Sequence, residues 1–148
     1  MKVAPGSIEG LRHALLDLHK TLLDAQRIRY EREHGRIATS GEFLGLVLEH
    51  PAFAWLRTMS ALITRFDEWM ESGEDAPADE LPGMLAALRS LIEAEGKHPT
   101  FSKPYWEFVN AVPEVLVAHV RLWRLLQEAQ AGRPREGGGS VGFPSARE

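Results

Sequence analysis

Between Tyr105 and Leu126 the chain reads YWEFVNAVPEVLVAHVRLWRLL, and apolar residues recur in it at alternating steps of four and three. This spacing is typical of a helix that buries one face, so it predicts the last helix of an antiparallel bundle. His119 falls on that face among apolar neighbours, and its ring must therefore find a hydrogen-bonding partner inside the protein. The predicted buried positions are Tyr105, Val109, Val112, Leu116, His119, Trp123 and Leu126.

Similar periodicity elsewhere in the chain predicts an all-α fold. We expect an antiparallel four-helix bundle with one extra short helix, residues 40–49, between the first and second main helices. Pro113 interrupts the last helical pattern and predicts a kink or short break near Asn110. The predicted main helices span residues 8–34, 51–71, 79–95 and 102–131, and the predicted N-caps are Ser7, Thr39, Asp79 and Ser102.

Composition limits the functional classes. The 148 residues are 44% hydrophobic, which predicts one domain over residues 1–131, and a Gly- and Pro-rich flexible tail follows over 132–148. A formal charge of -4 without a basic stripe argues against nucleic-acid binding. No apolar run or signal-peptide pattern indicates a membrane or secreted protein, so we expect the cytoplasm. The absence of cysteine excludes disulfides, thiolate metal sites and cysteine nucleophiles.

One segment carries a resemblance to other proteins. It is Pro51-Ala-Phe-Ala-Trp-Leu-Arg57, which continues through Ser60 and Leu62-Ile63 to Asp67-Glu68. This segment resembles one found in small uncharacterised bacterial helical proteins, and the resemblance covers about residues 15 to 70, with weaker similarity near His119. It implies a bacterial origin and an all-α fold, and it implies no activity, ligand or functional residue.

The sequence contains no recognisable catalytic motif, which favours a non-enzymatic interaction or regulatory module with a protein partner or as a homodimer. The short helix 40–49 is apolar nearly all round, so it is either wedged against the bundle or covered by a partner. The candidate partner contacts are Phe43, Leu44, Val47, Phe53, Trp55 and Trp69.

The alternative hypothesis is a metal-, haem- or small-ligand-binding bundle. Antiparallel packing of the first helix against the last would place His19 level with His119, and imidazoles suit several transition metals. Ser60 and Asp67 on the adjacent helix could then orient the ligating rings. The simpler interpretation is that the two histidines are separate core residues, each with its own hydrogen-bonding partner.

The last two turns of the first helix present polar groups where apolar ones would be expected. Gln26, Arg29, Tyr30 and Glu33 lie on or beside the predicted buried face. Either the helix extends beyond the bundle and exposes an Arg29–Glu33 pair, or these residues line a polar pocket.

Overall fold

The computed structural model describes residues 5–94 and 98–132, and every regular element in those ranges is helical. The all-α prediction is therefore confirmed for the described residues. Beyond Gly132 the predicted flexible tail lies outside them. The α-helices are α1 (Pro5–His34), α2 (Ser40–Glu49), α3 (Arg57–Glu71), α4 (Leu81–Ile92), α5 (Pro99–Ala111) and α6 (Pro113–Ala131). The 3₁₀ segments are Pro51–Leu56, Gly73–Asp75 and Ala78–Glu80.

The buried faces of α1, α3 and α4 follow the apolar periodicity of the sequence. In α1 the residues Leu11, Leu15, Leu18 and Leu22 are all fully buried. The core side of α3 is formed by Met59, Leu62, Ile63 and Phe66, and α4 buries six apolar side chains. Within 5–94 and 98–132, no helix is both long and apolar enough to cross a membrane.

Thr39 is the predicted cap that the structure confirms. Its side chain accepts a hydrogen bond from the Glu42 N–H at 3.1 Å, and the Glu42 carboxylate accepts one from the Ala38 N–H at 3.0 Å. The first bond satisfies a backbone donor that the first turn of α2 leaves unpaired, and the second holds the residue before the cap against that turn.

The other three predicted caps are wrong. α1 begins at Pro5, two residues before Ser7. α4 follows the 3₁₀ segment that contains Asp79, and α5 begins at Pro99, so Ser102 lies inside that helix. Pro99 at the first position of α5 explains its early start, because proline has no N–H to satisfy and its φ is already helical. α4 begins two residues later than predicted, with Pro82 in its first turn.

The kink or short break predicted near Asn110 is confirmed as a break, which lies two residues later at Val112. α5 ends at Ala111, Val112 is extended with φ -118° and ψ 110°, and α6 begins at Pro113. After the break the buried face restarts at a shifted position, and Leu116, predicted to be buried, is 46% exposed. The buried residues of α6 are Val115, His119, Leu122, Leu126 and Ala129.

An ion pair between α1 and α6 agrees with their predicted antiparallel register. Arg121 Nη1 lies 2.9 Å from Asp17 Oδ2. Asp17 precedes His19 by two residues and Arg121 follows His119 by two residues, so the two histidines lie at the same level of their helices.

Polar contacts also fix the direction of the 51–71 segment relative to α1. Three residues of α1, spaced seven positions apart, each bond to a residue of α3 or of the 3₁₀ segment Pro51–Leu56. As the residue number in α1 rises, the number of its partner falls. The segment therefore runs antiparallel to α1. The pairs are Arg12 with Asp67, His19 with Ser60, and Gln26 with Trp55.

Candidate functional site

His119 finds its partner in α5. Its Nδ1 lies 2.5 Å from the hydroxyl oxygen of Tyr105, which is fully buried. The break at Val112 makes this contact feasible, because it lets α5 pack against the helix that follows it. The polar residue on the apolar face of α6 is thereby satisfied within the chain.

Burial sets the charge state of this pair. It lowers the pKa of His119 below the ordinary value of 6.5 and raises the pKa of Tyr105 above its ordinary value of 10.0. Both shifts arise because the charged form of each group loses hydration in the protein interior. A neutral imidazole and a neutral phenol therefore share the hydrogen bond at neutral pH.

Aromatic rings surround the rest of His119. The Trp106 ring centroid lies 4.9 Å from that of the imidazole with the rings nearly perpendicular, and the Trp123 ring lies 6.2 Å away and nearly parallel. Trp123 is one helical turn after His119 on α6, which places both on one side of the helix. Trp106 follows Tyr105 on α5.

These rings form one wall of an open pocket of about 510 Å³ between α6, α5 and the C-terminal end of α4. Arg89 also lines the pocket, next to Trp123. Its guanidinium lies 4.9 Å from the Trp123 ring centroid and donates to Gln130 Oε1 at 3.0 Å. The volume falls in the range of small-molecule sites. The pocket is lined by Arg89, Ile92, Glu93, Ala94, Trp106, His119 and Trp123.

His19 has a different partner from His119. Its Nε2 lies 2.8 Å from Ser60 Oγ, which also lies 3.3 Å from the Leu56 carbonyl oxygen. Burial lowers the pKa of His19. Asp67 forms an ion pair with Arg12, so the structure brings Ser60 to His19 and directs Asp67 elsewhere.

The two histidines therefore lie level with each other but hydrogen-bond to different helices. In the described ranges, no group of three or more His, Asp and Glu side chains is arranged to hold a metal ion. A metal or haem shared by His19 and His119 stays a prediction.

The polar residues at the end of α1 contact neighbouring elements instead of one another. Gln26 is buried and accepts a hydrogen bond from the Trp55 indole at 3.0 Å. Arg29 pairs with Glu107 at 3.3 Å instead of with Glu33, and its guanidinium lies 4.2 Å from the Phe108 ring centroid.

Tyr30 packs among rings at the same end. Its ring centroid lies 4.5 Å from that of His34 and 5.2 Å from that of His50, while Glu33 is exposed. The predicted Arg29–Glu33 pair is therefore not formed, although the helix end at residues 32–36 is exposed as that alternative expected. A polar pocket at this end stays a prediction.

The predicted partner contacts divide into buried and exposed residues. Phe53 and Trp55 belong to the core and are not available at the surface. Phe43 and Val47 are half-buried against the core, so α2 is partly wedged, but Leu44 is 58% exposed and α2 buries no residue fully. Trp69 is half-buried and donates its indole N–H to the Pro77 carbonyl at 2.8 Å.

A second apolar surface lies on α6 and was not predicted. Leu116, Val117 and Val120 are 46%, 69% and 53% exposed and occupy neighbouring positions on one side of the helix. We call these three residues the α6 apolar surface. Beside it a groove of about 410 Å³ runs between α1 and α6, with Ala14 and Ala118 in its lining and the Asp17–Arg121 pair at its edge.

Sequence reasoning missed Arg89, Glu93 and Trp106 in the pocket. The available signal was the break predicted at Pro113, since two consecutive helices joined by a break pack together and bring Tyr105 and Trp106 toward His119. No protein-family model, curated protein or solved structure matches this chain. The resemblance carried by residues 51–57 therefore stays a prediction.

Proposed function

We propose that this chain is a small cytoplasmic interaction module without catalytic activity, and that it pairs with a second copy of itself through the α6 apolar surface. The observation that carries the proposal is the exposure of three large apolar side chains side by side on one helix. Such patches favour contact with another protein, because their burial removes apolar area from water.

The charges around the surface favour a second copy in the antiparallel orientation. Glu114 lies near the beginning of α6, and Arg124 lies ten residues later; both are exposed. Suppose that two antiparallel α6 helices cross midway between Val117 and Val120. Glu114 of each copy then lies beside Arg124 of the other, to within one residue along the helix. The same contact then forms twice, as a twofold interface requires.

The α2 surface is the competing interface, and it is less suited to self-association. Its exposed apolar residues are Leu44 and Leu48, at 58% and 62%. The exposed charged residues of α2 are Glu42 and Glu49, so two copies of this helix would bring like charges together.

We propose in addition that the helices form an antiparallel four-helix bundle, with α2 as the extra short helix. Packing supports this arrangement, since α1 contacts α3 and α6, and α4 contacts the same two helices. These contacts close a ring of four helices in which each has two neighbours. α5 would then cap the bundle beside α6 and α4.

Sedimentation velocity over a wide concentration range tests the pairing. We expect a weak, concentration-dependent dimer, because an interface centred on three apolar side chains is small. Val117→Asp should leave a monomer with an unchanged circular dichroism spectrum, since the side chain is 69% exposed. Leu44→Asp is the matched control on α2 and should dimerise like the unmodified protein.

Charge exchange tests the orientation. Glu114→Arg alone and Arg124→Glu alone should each weaken the dimer, and the double variant should restore it. A protein that stays monomeric at all concentrations, or a dimer broken by Leu44→Asp instead of Val117→Asp, would count against the α6 surface.

Small-ligand binding is the second candidate function, and the pocket beside His119 favours it. The residues that line this pocket come from α4, α5 and α6, whereas His19 contacts α3. The ligand-binding alternative thus involves His119 without His19.

A further inference from the structure

We infer that the pocket between α4, α5 and α6 binds a planar aromatic carboxylate. The tryptophans in the pocket lining would bind the aromatic ring of such a ligand. Trp106 and Trp123 both line the pocket and pack near the His119 ring, at centroid distances of 4.9 and 6.2 Å. A flat ring entering the pocket would meet indole faces and edges, which favour offset-stacked or edge-to-face contacts.

Arg89 supplies the carboxylate-binding part. Its guanidinium is held over Trp123 at 4.9 Å and is tied to Gln130 by one hydrogen bond of 3.0 Å. A guanidinium carries five N–H donors, so others remain for an anion, and their planar fork matches a carboxylate. Because Arg89 is already oriented by two contacts, the ligand would order few additional side-chain torsions on binding.

Trp106 gives a second, independent indication. Its Nε1 is buried and has no hydrogen-bond partner in the part of the chain that the structure describes. Buried N–H groups are nearly always paired, so an unpaired one marks a place where an acceptor belongs. A ligand oxygen beside Trp106 would meet that requirement after a small shift of the ring.

Glu93 is the group that opposes an anion. It follows α4 at the pocket edge and is half-exposed, and no hydrogen bond or ion pair within 5–94 and 98–132 holds its carboxylate. The side chain is free to turn toward water when an anion binds. His119 adds no charge at neutral pH, because burial lowers its pKa. Arg89 therefore decides the sign of the ligand charge.

Two-dimensional NMR of the four tryptophan indole N–H groups tests the inference, with naphthoate as the probe. We expect the Trp106 and Trp123 signals to shift and to saturate. Trp55 and Trp69 provide internal controls, since their N–H groups are bonded to Gln26 and Pro77 and neither residue lines the pocket. Naphthamide, which is neutral, and naphthylmethylamine, which is cationic, should bind more weakly.

Variants at the charged positions complete the test. Arg89→Gln should weaken naphthoate binding about tenfold or more, the range of a hydrogen bond between charged groups, and Glu93→Gln should strengthen it. Measuring all of this in the Val117→Asp background separates pocket binding from self-association. The inference is overturned if Trp106 and Trp123 do not shift, if all four signals shift alike, if the cation binds best, or if Arg89→Gln binds as well as the unmodified protein.

Discussion

Removing one oxygen atom tests whether the Tyr105–His119 contact holds the α5–α6 pair together. Tyr105→Phe keeps the ring and its packing but deletes the hydroxyl that lies 2.5 Å from His119 Nδ1. Tyr105 is 0% exposed and His119 is 8% exposed, so water has little access to replace the lost partner. Leaving the imidazole nitrogen unpaired should lower the free energy of unfolding by about 1–3 kcal/mol. For a chain of this size that corresponds to a fall in Tm of about 2–12 °C.

Urea unfolding at pH 7, followed by circular dichroism, measures the effect. Tyr30→Phe is the matched control, because Tyr30 is the other tyrosine of the chain and its hydroxyl makes no hydrogen bond within the described residues. That variant should stay within about 0.5 kcal/mol of the unmodified protein.

A double-mutant cycle isolates the hydrogen bond itself. His119→Leu leaves the Tyr105 hydroxyl unpaired, whereas the double variant removes both partners and should cost less than the two single changes together. Additive effects, or a Tyr105→Phe variant as stable as Tyr30→Phe, would show that this bond does not stabilise the α5–α6 pair.

Two further predictions concern pH and the buried faces. Burial lowers the pKa of His19 and His119 below 6.5. Near and below that pH the unfolded chain therefore binds more protons than the folded chain. The free energy of unfolding should be level above pH 6.5 and should fall as the pH drops through and below it. Urea unfolding from pH 7.5 to 5.5 should show this slope in the unmodified protein and in the exposed-site control His13→Gln, and a smaller slope in His119→Leu; an unchanged slope in His119→Leu would contradict the assignment. Leu62→Asp should unfold the chain, because the Leu62 side chain is only 7% exposed. Leu116→Asp should still fold, because the Leu116 side chain is 46% exposed. A Leu116→Asp variant without helical circular dichroism would refute the observed register of α6.

Uninterrupted periodicity explains why much of the fold was predictable. Leu11, Leu15, Leu18 and Leu22 fall on one side of α1, so their spacing identifies the buried face without knowledge of its neighbours. The antiparallel register of α1 and α6 followed from helix lengths, and the Asp17–Arg121 pair agrees with it.

Level along a helix does not determine which neighbour a side chain contacts. Asp17 and His19 differ by two residues, which is about 200° of rotation around the helix. If Asp17 points toward Arg121 on α6, His19 must point to another side, and its bond to Ser60 on α3 agrees with this. Sequence reasoning placed the two histidines level with each other but had no means of fixing these directions.

The break at Val112 likewise determines which side of α6 faces the core, and with it the position of both candidate sites. Periodicity continued through the break assigns Leu116 to the core, but α6 restarts at Pro113, and the first buried position after it is Val115. The predicted and observed buried positions share His119 and Leu126, but Val115 and Leu122 are buried where periodicity assigned Leu116 and Trp123. The buried face is therefore turned toward Val115 and Leu122, which leaves Leu116 exposed to solvent beside Val117 and Val120. His119 stays buried, between Tyr105 and the pocket formed with Trp123. The exposed surface and the pocket are thus two sides of one restarted helix, and a variant that rejoined α5 and α6, such as Pro113→Ala, should disturb both.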